Sequence, residues 1–155
     1  MARRTRASFA AEVRKASAAS VKDGASLQRT MDMAFKRLGE EARGVIVGVL
    51  AGCFSQLQND TPYDTGRAQA GWLMTGDGSA VGFTPGKKEA SYSPTEPDEG
   101  SLVKSDLIYV VNNVEYVLFL EAGWSKRQPG GFIARFLADA RRRLTEACAA
   151  MSAAR

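Results

Sequence analysis

Histidine is absent from this chain of 155 residues, and cysteine occurs only twice. Without histidine, the chain lacks the commonest general base at neutral pH and the commonest metal ligand. Composition therefore excludes Ser-His-Asp, Cys-His and histidine–metal chemistries. Cys53 and Cys148 lie 95 positions apart, each in an apolar helical pattern. This placement favours buried free thiols over a disulfide or a zinc site, and we expect no cofactor.

Long apolar runs are also missing. The best candidate, residues 44–54, has 11 residues, whereas a membrane helix needs about 18 or more. The N-terminus has no apolar core after its arginines, so we expect no signal peptide. The length fits one domain, and a composition of 45% apolar and 25% charged residues is ordinary for a globular protein. We expect a chain that is made and kept in the cytoplasm, with no membrane partner.

Positive charge is concentrated at the N-terminus. The whole chain carries +4, but residues 1–22 hold six basic side chains and one acid, Glu12. We therefore divide the chain into a basic arm, residues 1–22, and one α+β domain, residues 23–155. The arm is interpreted either as a solvated or frayed helix, or as a segment that contacts a polyanion through phosphates or an acidic partner surface. The candidate contact residues are Arg3, Arg4, Arg6, Arg14 and Lys15.

A long amphipathic helix is the clearest predicted element. Apolar residues recur at steps of three to five from Leu27 to Leu57, which predicts one helix of about 31 residues, or roughly 46 Å. Asp23 or Ser26 is a candidate cap for its start. The helix is expected to end before residues 59–62, where the sequence Asn-Asp-Thr-Pro favours a turn.

Three glycines, Gly44, Gly48 and Gly52, recur every four residues within this helix. Each costs about 1 kcal/mol relative to alanine in a helix interior. Either the helix is packed well enough to tolerate them, or they permit the close approach of another backbone, from this chain or a second subunit. We take them, with Lys87 and Lys88, as candidate residues of a subunit or partner interface.

The centre of the chain predicts a small antiparallel sheet. Residues 68–74 are expected to form a strand with Trp72 facing the core, residues 81–83 a short second strand, and residues 107–111 a buried strand. Residues 84–104 contain three prolines and two glycines. They predict a loop of about 20 residues, a length that is usually functional or disordered.

Two helices are predicted after the sheet. Residues 115–123 are interpreted as a short helix, because Gly123 suits a helix C-terminus. A final helix is expected from about Phe132. Strands grouped between helices predict an α+β fold, in which the long N-terminal helix and the C-terminal helix pack on a small antiparallel sheet. The final helix has an apolar face of Phe132, Phe136, Ala140, Leu144, Ala147 and Met151, and an outer face with Arg135, Arg141, Arg142 and Arg143.

No group of residues points clearly to catalysis. The acids near apolar segments are Asp60, Asp64, Glu115 and Glu121. Two of them could form a glycosidase-like pair of carboxylates. Turn formation by Asp60 and Asp64, and a helix start at Glu115, explain these acids better. We therefore expect the chain not to be an enzyme.

Glu121 follows a run of apolar residues, so we expect its carboxylate to be partly buried and to have a partner. Arg67 is one candidate, because its guanidinium can bind a carboxylate in two places. Backbone N–H groups near Gly66 are another. We further predict a positive φ or a close backbone neighbour at Gly66, and hydrogen bonds from Arg67 to a carboxylate or carbonyls of its own subunit.

Two segments of the sequence form a pair of motifs. The first is TPYDTGR at residues 61–67, followed five residues later by Trp72. The second runs from VNNVEY at residues 111–116 to LEAGWSKRQPGGF at residues 120–132. Together they resemble the tail-completion or neck proteins of tailed bacteriophages. The order and separation agree with that family over about residues 25–150, apart from Val117, where a small alanine is common. The motif residues are Asp64, Thr65, Gly66, Arg67, Trp72, Tyr116, Glu121, Gly123 and Pro129.

The resemblance implies a structural virion protein at the head–tail junction or at the head-proximal end of the tail. Such proteins form rings, here expected to be six-fold, that complete the tail and let DNA pass through the lumen. The implied partners are further copies of the chain and other neck and tail proteins, such as a tail terminator and a head–tail connector, with genomic DNA in the lumen. Assembly would take place in the host cytoplasm. The alternative is a small basic nucleic-acid-binding protein that acts through its N-terminal arm.

Overall fold

The computed structural model describes residues 14–15, 18–19, 22–33, 39, 41–78, 84–86 and 92–154. Its elements in chain order are α1 (residues 22–33), α2 (Glu41–Asp60), α3 (Arg67–Ala70), β1 (Trp72–Thr75), α4 (Glu99–Val103), β2 (Tyr109–Asn112), α5 (Val117–Glu121) and α6 (Phe132–Ala153). Helices packed with a two-stranded antiparallel sheet place the chain in the α+β class.

The core lies where α2 packs against α6. The predicted apolar face of α6 is buried at Phe132, Phe136, Ala140 and Leu144, which recur every four residues on one side of the helix. α2 contributes a facing set of buried side chains, and α1 adds two more. These are Ala42, Ile46, Val47, Leu50, Ala51, Cys53, Phe54 and Leu57 from α2, and Leu27 and Met31 from α1.

The prediction of one continuous helix from Leu27 to Leu57 is wrong. Gly39 has a φ of 70°, a left-handed conformation that interrupts an α-helix and that glycine adopts without steric cost. Helical residues lie on both sides of it, in α1 and α2. α2 also runs two residues beyond its predicted end and stops at Asp60, just before the sequence Thr61-Pro62.

β1 and β2 form an antiparallel pair with Trp72 opposite Asn112 and Thr75 opposite Tyr109. The strand predicted from residue 68 begins only at Trp72, because Arg67–Ala70 form the short helix α3. Trp72 is buried as predicted and meets the Phe132 ring edge-on, at 6.4 Å between ring centroids. The strand predicted at residues 81–83 lies outside the described residues.

The predicted loop at residues 84–104 is partly helical. The Asp98 side chain accepts a hydrogen bond from the Ser101 N–H at 3.3 Å and so caps α4. Leu102 buries its side chain in the core next to α2. A capped and anchored turn of helix therefore occupies the end of this segment.

The strand predicted at residues 107–111 forms as β2 (Tyr109–Asn112), but its four residues are half-buried rather than buried, and Leu107 is 51% exposed. The predictions for the two helices that follow agree with the structure. α5 lies within the predicted residues 115–123, and Gly123 follows it with a φ of 85°. α6 begins at Phe132, and Arg135, Arg141, Arg142 and Arg143 are exposed on it. Cys53 is a buried free thiol and Cys148 a half-buried one.

Candidate functional site

The turn at residues 61–66 leads the chain from α2 into α3. Gly66 has a φ of 89°, as predicted, and side chains rarely adopt this conformation. A Cβ at this position would also lie 3.1 Å from the Tyr63 ring and 3.3 Å from the Tyr92 side chain. Both the backbone conformation and the crowding therefore explain glycine here.

Arg67 is a buried arginine with partners on two other segments; its residue is only 6% exposed. Its Nε donates to the carbonyl of Pro85 at 3.0 Å, and its Nη2 donates to Glu115 Oε2 at 3.0 Å. The guanidinium also lies 5.7 Å from the centre of the Tyr116 ring. The expectation that Arg67 bonds a carboxylate and a carbonyl of its own chain is confirmed. Its carboxylate partner is Glu115 rather than Glu121.

Glu121 is 5% exposed and accepts hydrogen bonds from the backbone N–H groups of Ile133, at 2.9 Å, and Ala134, at 3.2 Å. Both donors belong to the first turn of α6, where backbone N–H groups have no partner within the helix. The prediction that Arg67 or the backbone near Gly66 is the partner of Glu121 is thus wrong, because backbone N–H groups at the α6 N-terminus bind the Glu121 carboxylate. Burial raises the pKa of Glu121, while the backbone hydrogen bonds oppose that shift.

The segment between α5 and α6 folds back on Glu121. The Gly131 N–H donates to the Glu121 carbonyl at 2.8 Å. A Cβ at Gly130 would overlap that same carbonyl oxygen, so only glycine fits this close approach. Ser125 Oγ accepts from the N–H groups of Arg127 and Gln128. Pro129 lies in the same turn and is exposed.

Arg127 joins the two motif segments. Its Nη2 lies 3.1 Å from Asp64 Oδ1, and its Nη1 donates to the Tyr63 carbonyl at 3.3 Å. Both charged side chains are well exposed, so this ion pair contributes little stability. Within the first segment, Thr65 Oγ1 accepts from the Arg67 N–H at 3.4 Å. Sequence reasoning did not select Arg127, although its position inside the second motif was a signal.

Thr61 is a second residue that sequence reasoning missed. It is fully buried, accepts a hydrogen bond from Trp72 Nε1 at 2.8 Å and donates to the Leu57 carbonyl at 2.7 Å. Its own carbonyl accepts from Gln69 Nε2 at 3.0 Å. The signal in the sequence was the predicted burial of Trp72, since a buried indole N–H needs an acceptor.

The four acids considered as a catalytic pair have separate structural partners. Asp60 pairs with Arg135 at 3.5 Å, and Asp64 pairs with Arg127. Glu115 pairs with Arg67, and Glu121 binds the α6 N-terminus. Among the described residues, no three cysteine or acidic side chains are grouped so as to hold a metal ion.

The two motif segments line one cavity of about 430 Å³, here called the motif cavity. It brings together Asp64, Thr65, Gly66, Arg67 and Tyr116 of the predicted motif residues. Trp72, Glu121, Gly123 and Pro129 are not in its lining. The lining consists of residues 62–68 with Tyr116, Leu120, Ser125, Lys126 and Arg127.

Those predicted interface and polyanion residues that the structure describes are not in the lining of this cavity. Gly44, Gly48 and Gly52 are exposed, and a Cβ on any of them would meet nothing within 4 Å. The alternative that these glycines permit the close approach of another backbone from this chain is therefore wrong for the residues that the structure describes. Arg14 and Lys15 are exposed. Lys87, Lys88, Arg3, Arg4 and Arg6 lie outside the described residues.

No family model, curated protein or solved structure matches the chain. Within the part of the chain that the structure describes, no helix has the length and apolar character to cross a bilayer.

Proposed function

We propose that this chain is a structural virion protein that forms a ring at the head–tail junction, or at the head-proximal end of the tail, and completes the tail while leaving a passage for DNA. The observation that carries the proposal is the meeting of the two motif segments. Residues 62–68 and residues 116–127 are distant in sequence, yet they line one cavity and are joined by Arg127. The resemblance to tail-completion proteins rests on these same segments.

The exposed glycine strip of α2 is consistent with a subunit interface. Gly44, Gly48 and Gly52 leave open space along a helix whose other side is packed in the core. A ring made of identical contacts closes only if each subunit uses two different surfaces, and closure stops growth. We propose a six-fold ring, with α2 and the segment 84–104 in the contacts, and with other neck and tail proteins as further partners.

Electron microscopy tests this proposal. Particles of the purified chain, alone or with its neighbouring tail proteins, are expected as rings, and gold-labelled antibody is expected at the head–tail junction of virions. Phage that lack the chain should accumulate unjoined heads and tails. A chain that stays monomeric within its mature assembly, or label that is absent from virions, would contradict the proposal.

The charge distribution favours a second candidate, a nucleic-acid-binding protein that acts through residues 1–22. That segment holds six basic side chains and one acid, while the rest of the chain is close to neutral. Binding carried by such an arm should weaken steeply with salt, because phosphate contacts release counterions. Salt-dependent binding of DNA by the monomer, without rings and without virion label, would favour this candidate.

A further inference from the structure

We propose that the motif cavity of one copy receives the acidic segment at residues 96–99 of a neighbouring copy. This inference rests on the proposed ring and assigns its head-to-tail contact to two named surfaces. The occupant is therefore a second copy of this chain, bound by charge and by exposed aromatic side chains.

The receiving surface is mainly basic. Three basic side chains, Arg67, Lys126 and Arg127, line the motif cavity together with one acid, Asp64. Arg67 and Arg127 are held by partners in their own chain, whereas Lys126 is exposed and has no ion-pair partner among the described residues. Lys126 is therefore the side chain that is ready to bind an incoming carboxylate.

Exposed aromatic side chains accompany this charge. Tyr63 lines the cavity and is 52% exposed, and Trp124, two residues before Lys126, is 48% exposed. Tyrosine, tryptophan and arginine are the residues that most often dominate the binding energy of protein interfaces. The tyrosine and arginines in the cavity lining therefore suit a protein partner better than the uniform backbone of a nucleic acid.

The inserting segment is acidic, exposed and held in place. Glu96, Asp98 and Glu99 are all exposed. Neither glutamate has an ion-pair partner within the described residues. The preceding carbonyl, that of Thr95, accepts from Gln58 Nε2 at 3.0 Å, and Asp98 caps α4. Pro97 restricts the backbone between these two anchors. A segment that is ordered before binding loses less entropy on association.

The receiving and inserting surfaces are distinct. Glu96 and Asp98 line a separate cavity with Thr75, and no residue is shared between its lining and that of the motif cavity. A head-to-tail contact requires two such different surfaces on one chain.

Zero-length carbodiimide cross-linking tests the contact directly, because it joins a lysine amine to a carboxylate only when the two are in contact. A mixture of ¹⁴N- and ¹⁵N-labelled full-length chain should give mixed-isotope peptides that join Lys126 to Glu96 or Glu99. Their yield should fall at high salt. Conjugates of Lys126 only with other acids, or only within one copy, would overturn the inference.

Charge reversal supplies the second test. Lys126→Glu, or Glu96→Lys combined with Glu99→Lys, should weaken self-association at least tenfold in sedimentation equilibrium. Combining all three changes in one chain should restore association to within about threefold of the original. Arg29→Glu, which changes an exposed charge on α1 by the same amount, should have little effect.

The outcomes separate this inference from the proposed function. Rings that persist unchanged in all charge-reversed variants would overturn the contact and leave the ring intact. A chain that never associates, even with its tail partners, would overturn both. Loss of DNA binding in Lys126→Glu, with self-association unchanged, would overturn the contact in favour of a nucleic-acid surface.

Discussion

The hydroxyl of Thr61 links the end of α2 to the sheet, because it accepts from the Trp72 indole and donates to the Leu57 carbonyl. Replacing Thr61 by valine keeps the shape but leaves the buried indole N–H without an acceptor. An unsatisfied buried donor costs about 1–3 kcal/mol, and we expect a loss of that size in the free energy of unfolding, measured by urea denaturation. Thr61→Ser keeps the hydroxyl and should lose less. Equal stability of the two variants would contradict this role.

Arg67 is predicted to act mainly on stability. Arg67→Ala removes hydrogen bonds to Pro85 and Glu115 from a buried position, and hydrogen bonds to charged groups contribute about 1.5–3 kcal/mol. We expect a loss of about 2–3 kcal/mol in the free energy of unfolding. Arg127→Ala is the matched control, because its exposed pair with Asp64 should contribute less than about 1 kcal/mol. Similar losses in both variants would show that the burial of Arg67 has no energetic consequence.

Glu121 should make stability depend on pH. Because burial raises its pKa, the folded chain holds this proton more tightly than the unfolded chain does. Its contribution to stability therefore falls as pH rises from the ordinary glutamate pKa through the raised one. In urea unfolding, the free energy of unfolding of the original chain minus that of Glu121→Gln should be larger at pH 4 than at pH 7. Glu146→Gln, on the exposed side of α6, corrects for the loss of one acid. A difference that grows toward pH 7 would contradict the direction of the pKa shift.

At the scale of elements, hydrophobic periodicity predicted α6 well and the break before α2 poorly. Phe132, Phe136 and Leu144 all lie on one side of an uninterrupted helix and belong to the same core cluster, so their spacing alone predicts the helix. The same spacing continues across Gly39, where the backbone conformation, not the apolar pattern, ends the helical run. Periodicity reports which side is buried, and it does not report whether the axis is continuous.

The hydrogen-bond partners of Glu121 and Arg67 could not be predicted without the tertiary structure. Sequence reasoning predicted the burial of Glu121 correctly, because a polar group within an apolar run must be satisfied. It also predicted correctly that Arg67 bonds a carboxylate or carbonyls of its own chain. It paired them wrongly, since the N–H groups at the start of α6 and the carboxylate of Glu115 reach these positions only in the folded chain. Local patterns predict the need for a partner, whereas topology decides its identity.

The glycine strip of α2 gives a prediction of its own. Nothing lies within 4 Å of a Cβ at Gly48, and alanine is favoured over glycine in a helix interior by about 1 kcal/mol. Gly48→Ala should therefore raise the free energy of unfolding of the monomer by up to that amount. If the strip packs against a neighbour in the ring, the same variant should weaken self-association.

Ser55→Ala, an exposed change on the same helix, serves as the control for Gly48→Ala. Thermal unfolding and sedimentation on the same samples separate the two effects. A less stable monomer would mean that a neighbour in this chain already fills the space beside Gly48. Unchanged association would remove the strip from the ring interface.

At the scale of the whole molecule, charge is separated along the chain. The arm is strongly basic, the motif cavity is mainly basic, and the segment 96–99 is acidic. A molecule with both signs on distinct surfaces can bind its own copies through one pair of surfaces. The basic arm then stays available for a different acidic partner. The proposed ring contact and the proposed contact of the arm thus use different residues, and truncation of the arm can test them separately.

Deleting residues 2–22 should leave the fold intact and impair the joining of heads and tails. The described residues of this segment, Arg14, Lys15, Ala18, Ala19 and Lys22, are exposed, and the first buried core side chains among the described residues are Leu27 and Met31. Ordering a backbone costs about 1–2 kcal/mol per residue, so the arm is expected to be held by an acidic neighbouring protein or by DNA phosphate. Circular dichroism and urea unfolding should match the full chain, while complementation of phage lacking the protein should fail. A truncated chain that does not fold would place the arm in the core, and normal yields of infectious particles would remove it from assembly.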